Sequence, residues 1–188
     1  MTEKRSRRAT CADLESVPSN KVAEIIDGTL IVSPRPASPH AVATFALSSD
    51  LAEPFGRGRG GPGGWVLLFE PELHLGPDPD VLVPDLAGWR RERMPVIPDT
   101  AAFTLAPDWV CEVVSPSTEA VDRADKMPVY AREGVRHAWL VDPLLRTLEV
   151  FRLDAGAWRL VSVSREGARV RVEPFEVVEL YLAVWWAR

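Results

Sequence analysis

Two short stretches decide the architecture: VLVPDLAGW at residues 81–89 and DWVCEVVS at residues 108–115. Each is an apolar run rich in β-branched and aromatic residues, as a core strand requires, and each encloses one carboxylate, Asp85 in the first and Glu112 in the second. Upstream, WVLLFEPELHL (65–75) alternates as a strand, with Glu70, Glu72 and His74 on one face and Leu67, Phe69, Leu73 and Leu75 on the other. GPDPD turns the chain between the two. Downstream, Ser117 opens a helix whose end is marked by Gly134, and RHAWLVD (136–142) is the next strand. With a helix expected at 39–54, after Ser38-Pro39, the order is helix, strand, strand, strand, helix, strand. That order predicts a mixed sheet with helices packed on it, an α/β (α+β) class.

Toward the ends the signals are more local. Residues 1–9 are polar and basic and are expected to be flexible, with a single domain over 10–188. Thr10 caps a short helix that Pro18 stops. In VAEIIDGTLIVS (22–33), two apolar runs meet at Asp27-Gly28, a dipeptide suited to the type I′ turn of a hairpin. GRGRGGPGG (56–64) reads as a mobile loop. Residues 147–173 alternate as two or three antiparallel strands, and VVELYLAVWW (177–186) is too short to assign.

Composition excludes several classes. A chain of 188 residues, 46% hydrophobic and 26% charged, can bury a core without staples. Its two cysteines, Cys11 and Cys111, make neither a disulfide framework nor a zinc ribbon. No apolar run approaches the roughly 20 residues that cross a bilayer, and the basic start has no apolar segment behind it, so a cytoplasmic protein without a membrane partner is expected. The net charge of −5 argues against a domain that coats nucleic acid by excess positive charge, while leaving room for local basic patches.

Chemistry enters through the two enclosed carboxylates. A carboxylate inside a core strand is costly unless it is ion-paired, hydrogen-bonded or bound to a metal. An ordinary ion pair would satisfy either one; two on successive strands point to a shared site. Distance supplies a third member. From residue 112 to the strand end is about 10 Å at ~3.3 Å per residue, and the following helix returns about 12 Å between residues 118 and 126 at ~1.5 Å per residue. Lys126 thus comes level with Glu112.

Pro84-Asp85, Glu112-Val113-Val114, EVVSPST with Asp122-x-x-x-Lys126, EIIDGTLIVSPRPASPH and YAREGVRHAWLVDP together resemble the PD-(D/E)XK nuclease superfamily and, within it, the Uma-type endonuclease group. The resemblance spans residues 22 to 153. It implies a restriction-endonuclease-like mixed central sheet flanked by helices, preceded by the hairpin and extended by C-terminal antiparallel strands. The superfamily's usual lysine position is Val114 here, and the resemblance places that role on Lys126 of the next helix. It implies Mg²⁺ (or Mn²⁺) held by Asp85, Glu112 and the backbone carbonyl of Val113, with Glu72 a candidate for a second metal or for a solvated edge face. Glu24 and His40 would be supporting residues or would make structural hydrogen bonds, and Asp122 reads as a first-turn residue favoured by the helix dipole.

The expected activity is Mg-dependent DNA endonuclease cleavage; the alternatives are a catalytically degenerate nuclease-fold module that binds nucleic acid or protein, and a hydrolase of other phosphate esters. Arg57 and Arg59 in the glycine loop, with Arg90, Arg91 and Arg93, are the candidates for DNA phosphates. Trp185 and Trp186 suggest a subunit interface and hence a homodimer, and an activating protein partner is conceivable. Gly58, Gly60 and Gly63 match G-x-G-x-x-G but follow a helix and precede a strand, the reverse of a dinucleotide site. His40, His74 and His137 lack zinc spacing.

Overall fold

The computed structural model describes residues 7–186, so the first part of the basic N-terminal segment, with Lys4 and Arg5, lies outside the described residues. A first short helix, α1 (Cys11–Glu15), is capped as expected: Asp13 accepts hydrogen bonds from the Thr10 N–H and hydroxyl at 2.7 and 2.8 Å. The hairpin follows, β1 (Lys21–Ile26) and β2 (Thr29–Pro34), joined through Asp27 at φ 49° and Gly28 at φ 77°. Positive φ at both residues is what the type I′ turn demands. Helix α2 (Ser38–Leu51) ends in a π turn over Ala52–Gly56. The glycine loop read as mobile is tied back to this turn: the N–H groups of Arg57, Arg59 and Gly63 donate to Ala52, Glu53 and Pro54.

The stretch 65–75 is not one strand. It divides at Glu70-Pro71, where Glu70 adopts φ 43°, into β3 (Trp65–Phe69) and β4 (Glu72–Leu75). Proline cannot donate to a ladder, so the pairing stops there. Residues 80–90 divide likewise, at Pro84-Asp85, into β5 (Asp80–Leu82) and β6 (Leu86–Arg90). Each pair of halves belongs to two different sheets. A six-stranded mixed sheet runs β11-β10-β9-β8-β6-β3, with β8 (Trp109–Val113), β9 (His137–Asp142), β10 (Thr147–Asp154) and β11 (Ala157–Arg165). A five-stranded sheet, β2-β1-β5-β4-β7 with β7 (Ala102–Phe103), enlarges the predicted hairpin into a second layer. The pairing β8–β9 is parallel and β6–β8 antiparallel, which gives the mixed central sheet expected.

Strand parity sorts the core into two layers. Trp109, Cys111 and Val113 face α2 and the C-terminal segment, while Val110 and Val114 face the five-stranded sheet and the helix at 119–132, called α3. Glu112 shares the parity of Val110 and Val114, and Asp85 that of Ala87, so both carboxylates belong to the second side.

The C-terminal tryptophans correct an expectation. Trp185 and Trp186 are 0% and 6% exposed and fill the chain's own first core layer, where Phe175 meets Phe55, Trp65, Trp109 and Trp139 at ring distances of 4.6–5.5 Å. They leave no argument for a subunit interface. Trp185 Nε1–H donates to Asp50 on α2 at 2.7 Å. Burial pushes the Asp50 carboxyl above its usual value, against that hydrogen bond. A raised folded value contributes stability at low pH that is lost as pH rises through it. Asp50→Asn is therefore expected to hold or raise Tm at pH 7 and to lose that advantage near pH 4, whereas Asp50→Ala, leaving a buried indole N–H unpaired, lowers stability by about 1–3 kcal/mol. Thermal melts at both pH values check this. Among the described residues no helix is long and apolar enough to cross a membrane.

Candidate active site

Five elements converge where the chain leaves the small sheet and enters the large one. β1 supplies Glu24, α2 supplies His40, the β5–β6 crossing supplies Asp85, β8 supplies Glu112, and α3 supplies Asp122 and Lys126, all around one pocket of about 50 Å³. β8 is buried along its whole length, so Glu112 enters the interior because its strand does. Asp85 sits beside it because β6 pairs with β8, with Leu86 opposite Cys111. The Asp85 carboxylate accepts the Val113 N–H at 2.7 Å through Oδ2 and lies 3.0 Å from His40 Nε2 through Oδ1. A strand residue's N–H and C=O point to the same edge, so the Val113 carbonyl also lies on the Asp85 side.

Lys126 is 3% exposed and its ammonium reaches three carboxylates: Glu112 at 3.0 Å, Glu24 at 3.2 Å and Asp122 at 3.2 Å. An ammonium has three donors, and all three are engaged. The helix opens into a π turn over Asp122–Lys126, a widening often found at functional sites, and the two ends of that turn both point inward. Asp122 keeps the first-turn position expected of it, but at 3% exposure it faces the cluster as a supporting residue. Glu24 bridges the layers, accepting the Val83 N–H at 2.8 Å as well as facing Lys126. His40 is steadied on α2 by Thr44, 3.3 Å from Nδ1.

Five carboxylates line the pocket, Glu24, Glu70, Asp85, Glu112 and Asp122, against one ammonium and one imidazole. The imbalance marks the titration of the cluster. Burial pushes the Glu112 carboxyl well up, and Asp122, Asp85 and Glu24 add to this while Lys126 opposes it. Burial also raises Asp122 against the pull of Lys126. Burial disfavours the charge on Lys126, but Glu112 and Glu24 outweigh it and hold the ammonium charged.

Other candidates lie elsewhere. Glu72 pairs with His74 at 2.7 Å and lines a neighbouring open cleft rather than this pocket. Arg57 and Arg59 follow the far end of α2, about 20 Å along the helix from His40 at 1.5 Å per residue, and pair with Glu53. Arg90 closes β6 at the end opposite Asp85, and Arg91 and Arg93 follow it; Arg90 lies over the Trp65 ring and Arg93 pairs with Asp108. The structure brings none of these five arginines to the carboxylates.

The sequence reading does not reach two residues of the cluster, Tyr130 behind Glu112 and Glu70 at the pocket edge. Tyr130, fully buried, donates its hydroxyl to Glu112 Oε1 at 2.5 Å. Its spacing, four residues beyond Lys126 as Lys126 is four beyond Asp122, puts all three on one helix face and was the available signal. Glu70 had been placed on a strand face, whereas its left-handed conformation turns it to the pocket edge, 3.7 Å from Arg35.

Among the described residues no three side-chain carboxylate, imidazole or thiolate donors form a preset metal cage. The donor chemistry nonetheless fits a small hard dication. Mg²⁺ is commonly held by one or two carboxylates together with waters and substrate phosphate, and the pocket offers Asp85, Glu112 and the Val113 carbonyl, with negative charge in excess.

Comparison with known proteins agrees with this architecture. A crystal structure described as "a putative nuclease belonging to DUF820", from Anabaena variabilis ATCC 29413, superposes with a TM-score of 0.73 at 22% identity, covering 94% of this chain and 97% of that one. At that identity the likeness carries the fold, which is restriction-endonuclease-like. No curated protein matches the chain. The profile of the Uma2 family, described as "Putative restriction endonuclease", matches residues 10–184. The two layers, the acid at the β5–β6 crossing, the acid on β8 and the lysine of the next helix thus belong to a member of the Uma2 family.

Proposed function

We propose that this chain is a divalent-metal-dependent nuclease that hydrolyses DNA phosphodiester bonds in the pocket between its two sheets. The observation that carries the reading is the buried Lys126 ammonium among Glu24, Glu112 and Asp122, in the pocket that Asp85 also lines. Asp85, Glu112 and the Val113 carbonyl would hold Mg²⁺ or Mn²⁺. When bound, such an ion lowers the pKa of its water and offsets charge on the phosphate.

The chain's own groups prepare the rest. Val113 N–H and His40 fix the orientation of Asp85 while leaving lone pairs on both oxygens. Tyr130 holds Glu112 by Oε1. Lys126 shares Oε2 of Glu112; release of that contact directs one ammonium N–H into the pocket, where it orients the attacking water or stabilises charge developing on a phosphate oxygen. Glu24 and Asp122 keep the ammonium charged meanwhile.

The direct test is incubation of supercoiled and linear DNA with purified protein and Mg²⁺ or Mn²⁺, beside an EDTA control. Metal-dependent nicking is expected, with no product in EDTA. Absence of cleavage under both metals would overturn the proposal. One observation favours a second reading, the catalytically silent module: Arg57, Arg59, Arg90, Arg91 and Arg93 do not line the carboxylate pocket, so a ligand gripped by them would not present its phosphates there. Binding of DNA without cleavage, lost on substituting those arginines, is the result that reading requires.

A further inference from the structure

A second cavity, of about 390 Å³, opens beside the carboxylate pocket and shares Pro36, His40 and Glu70 with it. Its other walls are the outer face of α2, with Thr44, Phe45 and Ser48, and Phe69 at the end of β3; Arg35 stands among them. Phe45 is 74% exposed and Phe69 60% exposed. Burying a phenylalanine side chain is worth about 1.5–3 kcal/mol, so both leave that stabilisation unused. The packing of α2 does not ask for Phe45 there, since the helix buries Ala43, Leu47 and Leu51 on its core side. Two large aromatics flanking an apolar concavity are the makings of a binding surface.

We propose that this cavity receives an unpaired nucleobase of the strand whose phosphate enters the carboxylate pocket, with Phe45 and Phe69 as its stacking surfaces. The substrate is then single-stranded or locally unwound nucleic acid. This rests on the nuclease reading and specifies its substrate class.

Two observations and a rule of stacking converge on it. The cavities adjoin, with Pro36, His40 and Glu70 lining both, so a nucleotide reaching across that shared wall would set its phosphate by Asp85 and its base by Phe45. Base-aromatic stacking needs an exposed π-face, which a base inside a duplex does not present. Charge points the same way. Among the described residues lining the two cavities the lysines and arginines are Lys126, engaged by three carboxylates, and Arg35, facing Glu70. Duplex binders draw on many phosphate contacts; a surface this poor in free cations must take its affinity from stacking.

The test uses the full chain in EDTA and in Ca²⁺, so that binding is read apart from cleavage. Probes are a short oligothymidylate, a duplex of equal length, and a single strand carrying 2-aminopurine. Wild type should bind the single strand more tightly than the duplex and quench 2-aminopurine. Phe45→Ala and Phe69→Ala should each weaken single-strand binding by about tenfold and abolish the quenching, while Phe45→Tyr retains both. Equal affinity for the two forms, or alanine variants that bind like wild type, would overturn the inference. So would self-association of wild type relieved by Phe45→Glu, because the cavity would then belong to a second copy. Stacking without cleavage under any metal leaves the base site standing and removes the nuclease reading; cleavage indifferent to Phe45 and Phe69 does the reverse.

Discussion

Asp85→Asn and Glu112→Gln are each expected to lower metal-dependent nicking by about 10³-fold while leaving the protein folded. Both replacements keep the side-chain shape and remove one negative charge from a pocket that holds an excess of it. Asparagine at 85 still offers an oxygen to the Val113 N–H, and glutamine at 112 still accepts from Tyr130. What is lost is the anionic donor a dication requires, and removing a single electrostatic partner of the reacting centre commonly costs 10²–10³-fold or more. Melting temperatures of the two variants should match or exceed that of wild type without metal, since burial already works against ionised Glu112. Nicking undiminished in both variants would identify a contaminant and end the nuclease reading; a collapse of Tm instead would mean that these acids serve the fold.

Lys126→Met should have the largest effect on stability. It leaves Glu24, Glu112 and Asp122 buried with no ammonium among them, and stripping one partner from a buried ion cluster costs about 3–5 kcal/mol. For a chain of this length that is a fall in Tm of roughly 10 °C. The pH dependence has a definite sign. Without the opposing ammonium, burial leaves the Glu112 and Asp122 carboxyls raised in the folded state, so the variant binds protons on folding and regains stability as pH falls. The deficit should be greatest near pH 8 and shrink toward pH 5. Adding Glu112→Gln to Lys126→Met should recover part of it, because contacting residues do not act additively. A pH-independent deficit would show that the loss is one of packing alone.

The history of each residue shows why some were legible and others not. Glu112 announced itself because a charge inside an apolar run of strand length is anomalous wherever the strand ends up. Lys126 was reached by adding a strand's rise to a helix's return, and it lies against Glu112 at 3.0 Å. The hairpin at Asp27-Gly28 followed from the φ values that only a few residues tolerate. Of the two readings of Glu72, the structure matches the solvated strand face, beside His74; alternation within one strand cannot tell that face from a pocket wall. The arginines could not be placed relative to the acids, because a count of positive charges carries no direction; they lie toward the far ends of α2 and β6, and their expected contact with DNA phosphates is untouched by that distance. Trp185 and Trp186 looked like interface residues only while nothing else in the sequence was known to cover them.

By itself, then, the pattern of apolar runs and turns yields the hairpin, the mixed sheet with helices packed on it and the anomaly of the two enclosed acids, because periodicity and turn chemistry are local. The tertiary structure alone decided that the core strands divide between two large sheets rather than one, that Glu24 and His40 join the carboxylates while Glu72 does not, that a π turn draws Asp122 inward, and that Tyr130 completes the grip on Glu112. Those outcomes depend on which strand edges pair across long stretches of chain, and a pattern of alternation names the face of a strand without naming its neighbour.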